Sequence, residues 1–339
     1  MKKRDVFLLF TLLGVATVLI AFSSEMRKGA YQGLVLAENT IIPSLLPLLI
    51  IFLLIMKTGA KDALAKLLGN ISLYAFNLPK VTFPAIFLGM IGGYPTGALL
   101  TQELFDKGEI DSAQAKSIMR FNLCGGCGFI ITAVGSVSLL NLKAGIILFF
   151  SNVISNILIG IAQGIGKERT DGSFYSFTES IKISYALTDA VSSSVNSVLN
   201  ITAFVILFSA VNEILKLPEF LLPLVEITNG ICDGGKFSLP EISAYLAFGG
   251  LCIHFQILPI LLKMGVNYGD FLIFRVISAL LSYCITKGLL WIFPMELEVF
   301  SNTADTVAVF SSVNIGLSAL LIIGCFVLIL DINSRKKIC

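Results

Sequence analysis

Charge is what this sequence has least of. Only 14% of its 339 residues are Asp, Glu, Lys or Arg, against about 25% in an ordinary soluble domain. A formal net charge of +2 supplies no basic field, which excludes a nucleic-acid partner held through its phosphates. Histidine occurs once, at position 254, so no H-E-x-x-H zinc site can be built. No Ser–His pairing and no G-x-G-D aspartyl motif is found either, and the chain reads as a non-enzyme with no cofactor motif. The seven cysteines lie mostly in apolar segments without secreted disulfide spacing, and read as small hydrophobes. Cys124 and Cys127 do form a C-x-x-C pattern, but without a second pair or a nearby histidine they do not make a metal or redox site.

What is abundant is apolar. Hydrophobic residues make up 56% of the chain and its mean hydropathy is +0.89. Apolar runs of about 18–25 residues recur, which identifies an all-α polytopic membrane protein whose first partner is the lipid bilayer. The start, "MKKRDVFLLFTLLGVATVLIAFSSE", resembles a signal peptide but lacks a small-x-small cleavage site, and is read as a retained first membrane helix. With its link it occupies residues 1–38.

From there the order of elements is stated twice. A helix over about 39–58 is followed by an interfacial segment with Leu64, Leu67, Leu68 and Ile71 at helical spacing. An apolar run from Val81 to about 105 is interrupted by "GGYPTG", and a longer one, about 111–140, is broken at "NLCGGCG". A plain helix over about 143–165 closes the first half, residues 39–166. After a polar loop, 167–183, the second half, 184–330, offers a long helix to about 215, the short segment "PEFLLPLVEITNGI", a run over 240–262 interrupted by "AFGGLCIHF", and helices over about 270–293 and 306–330. A basic tail, 331–339, ends the chain. The Gly-Gly pairs 92–93 and 249–250 occupy corresponding places, and Arg120 and Arg275 follow them at similar distances.

Short or broken hydrophobic segments in corresponding positions of two halves point to a secondary transporter with an internal inverted repeat. If each interrupted run is a re-entrant hairpin, its half-helices of about 10 residues reach about 15 Å, enough to meet the midplane and return. The glycines then form tips whose freed backbone groups face a polar cavity, the alternative being a packing kink in a spanning helix.

Candidate site residues follow. Gly92, Gly93, Tyr94, Pro95, Thr96 and Gly97 form the first tip, where helix N-terminal N–H groups favour a carboxylate or phosphate. Asn122, Gly125 and Gly126 belong to the broken helix, whose freed carbonyls would line the site. Gly249, Gly250, His254 and Gln256 form the second tip, with His254 a substrate or proton contact or a structural hydrogen-bonding group. Arg120 and Arg275 lie in apolar segments, where a cation costs about 2.5–3.5 kcal/mol on insertion scales; each either meets an anion or Asp189, or snorkels to the headgroups. Asp189, Ser193, Asn196 and Asn200 share one helical stripe, either polar glue between helices or a cavity lining, with Asp189 as a coupling site for H⁺ or Na⁺.

These motifs resemble a known family. "PSLLPLLIIF" leading into "GGYPTGALLTQEL", with "FGGLCIHFQ" later, is similar to the nucleoside-recognition (Gate) membrane family, and within it to the YlbJ-type branch, also called stage V sporulation protein V. The likeness covers about residues 40–330. It implies a fold like that of concentrative nucleoside transporters, with two re-entrant hairpins and broken transmembrane helices around a midplane site, in a bacterial cytoplasmic membrane. It also implies dipicolinate or a similar aromatic carboxylate as substrate in sporulation, by alternating access. A nucleoside or nucleobase, or a non-transporting assembly role in sporulation, is the alternative, and a homo-oligomer is left open. The chain departs from the branch at Leu123–Cys127, where an Asn- and Ser-rich run is expected, and at Arg120.

Overall fold

Among the residues described by the computed structural model, 3–166, 182–232 and 237–294, every regular element is helical. The helix expected over 306–330, the polar loop from 167 to 181 and the basic tail lie outside the described residues. α1 (Lys3–Ala21) leads into α2 (Ser23–Leu36), and a wide π-turn, Ala37–Ile41, carries the chain on into α3 (Ile42–Met56). The segment expected as a polar link is therefore helical, and Ser23–Met56 forms one run of 34 residues. Its polar half is stabilised by packing on α9 (Ile183–Leu215). Gly29 and Gly33, a G-x-x-x-G pair, let the backbones approach so closely that a Cβ on either would sit 2.8 Å from the Cα of Ala210 or Ile206.

α4 (Gly59–Leu68) follows, and then the interrupted run forms α5 (Phe83–Gly92) and α6 (Tyr94–Asp106). Prolines in the first turn of each, Pro84 and Pro95, suit positions that need no N–H donor. Gly93 between them has φ +113°, a conformation reserved for glycine. Here the chain doubles back. Gly89 and Gly97 would lie about 12 Å apart along a straight helix, yet a Cβ on Gly89 would fall 2.7 Å from the Cα of Gly97.

α7 (Ser112–Met119) opens with a capping box between Asp111 and Gln114. The helix stops at Arg120, runs unwound through "NLCGG" and resumes as the π-helical segment Gly128–Ser138. α8 (Leu142–Gly164), capped by Asn141, packs on that segment. After α9 come α10 (Leu222–Val225) and α11 (Ile227–Cys232), joined by Glu226 in extended conformation. They too fold back: a Cβ on Gly230 would press on Pro223, 2.6 Å from its Cα. α12 (Leu239–Phe248), α13 (Gly250–Lys263) and α14 (Tyr268–Ile292) complete the described chain.

The Gly249–Gly250 run departs from the hairpin expected there. Both glycines take left-handed φ values, +92° and +69°, but α12 goes on to pack against α14 and α8 while α13 packs against α6 and α9. The two halves do not fold onto each other, so this is a broken helix, the partner in form of α7 and its π-helical continuation. The doubled-back element of the second half is instead α10–α11. α14 is continuous, so the described broken helices are those interrupted at 120–127 and at Gly249.

A polar ladder holds α8, α12 and α14 together where lipid-like surroundings make such bonds selective. Asn152 reaches Ser243 at 3.3 Å, Ser243 and Ser282 are 2.6 Å apart, and Ser278 hydrogen-bonds Asn156 at 3.1 Å and Ser155 at 3.2 Å. Five described helical runs are long and apolar enough to cross a membrane: Ser23–Met56, Leu142–Gly164, Ile183–Leu215, Leu239–Lys263 and Tyr268–Ile292.

Candidate functional site

Three backbone breaks far apart in sequence meet at one place. A Cβ on Gly126 would lie 2.8 Å from the carbonyl oxygen of Gly92 and 3.2 Å from the Cα of Gly93, so the first hairpin tip rests on the unwound stretch of the broken helix. Asn122, fully buried, bridges both arms of that hairpin, donating from Nδ2 to the carbonyls of Ala85 (3.1 Å) and Gly97 (3.4 Å). The Tyr94 phenol reaches across to donate to the Leu246 carbonyl at 2.5 Å. Its ring lies 3.5 Å from where a Gly249 Cβ would be, and its hydroxyl 2.9 Å from a Gly125 Cβ. Gly126 is needed because backbone meets backbone there, Gly125 because the Ile130 side chain and the Tyr94 hydroxyl crowd it, and Gly249 because of its left-handed φ of +92°.

Between the breaks lies a partly open pocket. Gly92, Gly93, Tyr94, Pro95, Gly126 and Gln256 line it, so six of the residues expected from sequence share one cavity. α3 adds Ser44 and Leu45, α9 adds Ile201 and Val205, and Glu226 and Thr228 come from the α10–α11 turn. The first turns of three helices contribute lining residues: Tyr94 and Pro95 of α6, Gly128 and Phe129 of the π-helical segment, Cys252 and Ile253 of α13. Helix N-termini carry partial positive charge and unpaired N–H groups, which favour a carboxylate. No Lys, Arg or His is among the described lining residues.

Thr96, Gly97, Asn122, Gly125, Gly249 and Gly250 sit behind this lining and shape it. Gly250 packs against the Pro223 carbonyl, 3.0 Å from its would-be Cβ, which places α10 against the second break. His254 points elsewhere. It is buried, its Nδ1 lies 3.0 Å from the Tyr268 hydroxyl and its Nε2 3.0 Å from the Phe248 carbonyl, with the Phe271 ring beside it. Both ring nitrogens are thus engaged with protein.

The arginines support the break from outside the pocket. Arg275, fully buried on α14, donates to the Leu123 carbonyl at 2.8 Å and to the Arg120 carbonyl at 2.6 Å. These are carbonyls that the end of α7 leaves without a helical partner, and Asn156 adds a second bond to Leu123 at 2.9 Å. The Arg120 side chain forks onto Asp270 at 2.6 and 2.7 Å.

The α9 stripe also lies away from the cavity. Asp189, Asn196 and Asn200 are exposed, whereas the packed face of α9 is Ala186, Ala190, Ser194, Val198, Ile201 and Val205. Asp189 instead bonds Lys57 at 2.7 Å, and Glu103 approaches the same ammonium at 3.5 Å. Burial works against the Lys57 charge, but the Asp189 and Glu103 carboxylates outweigh it and hold the ammonium above the usual lysine value of 10.5. Nearby, Lys61 and Glu109 form a fully buried ion pair.

Sequence reading passed over Glu226, which is 1% exposed, faces the pocket and accepts the Thr228 N–H at 3.0 Å. The signal was present, an acid inside the apolar "LLPLVEITNG". Ser44 and Gly128 gave no such signal.

Among curated proteins the chain is similar to the sporulation integral membrane protein YlbJ of Bacillus subtilis (strain 168), 26% identical over 333 aligned positions that cover 83% of this chain and 81% of that protein. No protein-family model matches the chain, and no solved structure matches it. With its five apolar helical runs, the chain is a multi-pass integral membrane protein distantly homologous to a bacterial sporulation integral membrane protein.

Proposed function

We propose that the chain is a secondary transporter that binds a small organic anion, dipicolinate or a related aromatic carboxylate, in the pocket where the three breaks meet. The observation that carries this reading is the convergence of the Gly92–Gly93, Gly125–Gly126 and Gly249–Gly250 breaks on one cavity. Irregular backbone at membrane depth is tolerated where it lines a cavity, and discontinuous helices are the means by which transporters present helix ends to substrate. α5–α6 and α10–α11 serve as re-entrant hairpins, one in each of two inverted repeats, 39–166 and 184–330, and alternating access moves the repeats about the fixed site. The mainly apolar lining, with Tyr94 and Phe129, suits an aromatic ring. Three helix N-termini suit its carboxylates. The resemblance to the sporulation branch and the distant homology to a sporulation protein favour dipicolinate.

A nucleoside is the second reading. Glu226, Gln256, Ser44 and Thr228 offer hydrogen-bonding groups to a neutral polar solute. Flux of labelled dipicolinate into proteoliposomes, with and without excess uridine, separates the two. Saturable dipicolinate flux unaffected by uridine supports the anion reading, saturable uridine flux in its place supports the nucleoside, and no flux of either from folded protein overturns both.

A further inference from the structure

We infer that a second, polar pocket beside α10–α11 is the entrance through which the carboxylate ligand reaches the central pocket, with Lys216 and Asn212 receiving it on the way. This rests on the anion reading above and adds the route. α9 carries one face through both cavities. Ile201 and Val205 line the central pocket, and Ser209, Asn212 and Lys216 line the polar one, each three or four residues after the last. Val205 and Asn212 are thus about 10 Å apart along the helix axis. The short α10–α11 element separates the two cavities: Leu222 and Gly230 line the polar pocket, whereas Ile227 and Thr228 line the central one.

Two side chains of the polar pocket are left without a protein partner. Asn212 is 9% exposed, and both polar atoms of its amide are buried without a hydrogen-bond partner. A buried amide in that condition is costly, and the cost is relieved when a solute enters or the neighbouring turn moves. Lys216 is exposed, and among the described residues no carboxylate pairs with it. Glu213, the acid of the same pocket, is held by Lys28 at 2.6 Å. The Lys216 backbone is left-handed, with φ +46°, at a helix end where glycine would be free of strain. Ending the helix therefore does not call for a lysine.

The pair suits a carboxylate. The Lys216 ammonium supplies charge, the Asn212 amide supplies an N–H donor, and the Gln32 amide of α2 offers another. The central pocket has no Lys or Arg among its described lining residues, so the cation stands at the approach and not at the seat. An attraction felt during passage but absent at the seat speeds entry and exit alike and leaves Kd unchanged.

The test is the association and dissociation rates of dipicolinate, measured by stopped flow on the purified full-length chain at low and high salt. Lys216→Gly relieves the left-handed strain and Asn212→Leu removes an unsatisfied amide, so both variants should melt no lower than wild type. In Lys216→Gly both rates should fall together by about tenfold, with Kd unchanged and the salt dependence of association largely lost. Asn212→Leu should also lower both rates but keep the salt dependence. Lys263→Gln, which loses an exposed pair with Asp106, should behave as wild type. Wild-type rates in either pocket variant overturn the entrance and leave the central pocket standing. Weaker binding through faster dissociation alone makes the two residues part of the seat, and overturns the entrance as well. Failure of folded wild type to bind dipicolinate overturns the anion reading itself.

Discussion

Replacing Gly126 with alanine tests the meeting of hairpin tip and broken helix. The added methyl would fall 2.8 Å from the Gly92 carbonyl oxygen, 3.0 Å from its carbon and 3.2 Å from the Gly93 Cα, all backbone atoms, where ordinary contact begins at 3.4 Å. The neighbours cannot yield by rotating a side chain, so the tip must move by about half an ångström or the helix must shift; overpacking of this kind costs about 1–3 kcal/mol. Gly126 does not have the positive φ of Gly93 and Gly249, so alanine is compatible with its backbone and the cost is the contact alone. Gly288→Ala on α14 is the matched control, because nothing lies within 4 Å of its Cβ position. At about 2–4 °C per kcal/mol for a chain of this class, Gly126→Ala should unfold about 2–12 °C below Gly288→Ala in detergent. Melting within a degree of the control would mean that the tip and the break do not touch, and the convergence on one pocket would lose its first support.

Arg275→Met should destabilise by about 1.5–3 kcal/mol for each charged hydrogen bond lost, since the Arg120 carbonyl loses its donor, yet the folded fraction should keep its ligand affinity. A tenfold loss of affinity at unchanged stability would restore Arg275 as the anion's partner. His254→Ala should likewise lower thermal stability without changing affinity, because its ring is spent on Tyr268 and Phe248. Tyr94→Phe removes a buried hydrogen bond to Leu246 and should cost about 0.5–1.5 kcal/mol, read by chemical denaturation. For Lys57 the folded value is raised, so its stabilisation is complete below the unfolded value of 10.5 and is lost as pH rises through the higher folded value. The stability gap between wild type and Lys57→Met should therefore stay constant from about pH 6 to pH 9; a gap that closes within that range contradicts the assignment.

How much of this was legible in the sequence varies with the element. That the helices break at Gly93 and at 122–126 was readable because glycines interrupt apolar runs at Gly92–Gly93 and Gly125–Gly126, and an unwound backbone in apolar surroundings demands a cavity or a partner. Gly249–Gly250 carried the same signature but a different path: two left-handed residues can reverse a chain or merely redirect it, and only packing, of α12 on α14 and of α13 on α6, decides. The stripe of Asp189, Asn196 and Asn200 shows the same limit, since helical spacing says that residues share a face and not which way the face looks. Arg275 was recognised as costly and given either an anionic partner or a path to the headgroups, but its partners are carbonyls, which leave no mark on side-chain spacing. Glu226 was overlooked because its helices, α10 and α11, are too short to give a periodic signal.

The convergence on a single substrate pocket is tested most directly by filling it. Val205 of α9 lines the cavity and is 3% exposed, so Val205→Trp adds bulk to the cavity wall from a helix that carries none of the three breaks. Titration of wild type and Val205→Trp with dipicolinate, both shown folded by their melting curves, should give one site in the first and none in the second. Equal binding by the two proteins would contradict the assignment of this pocket as the substrate site.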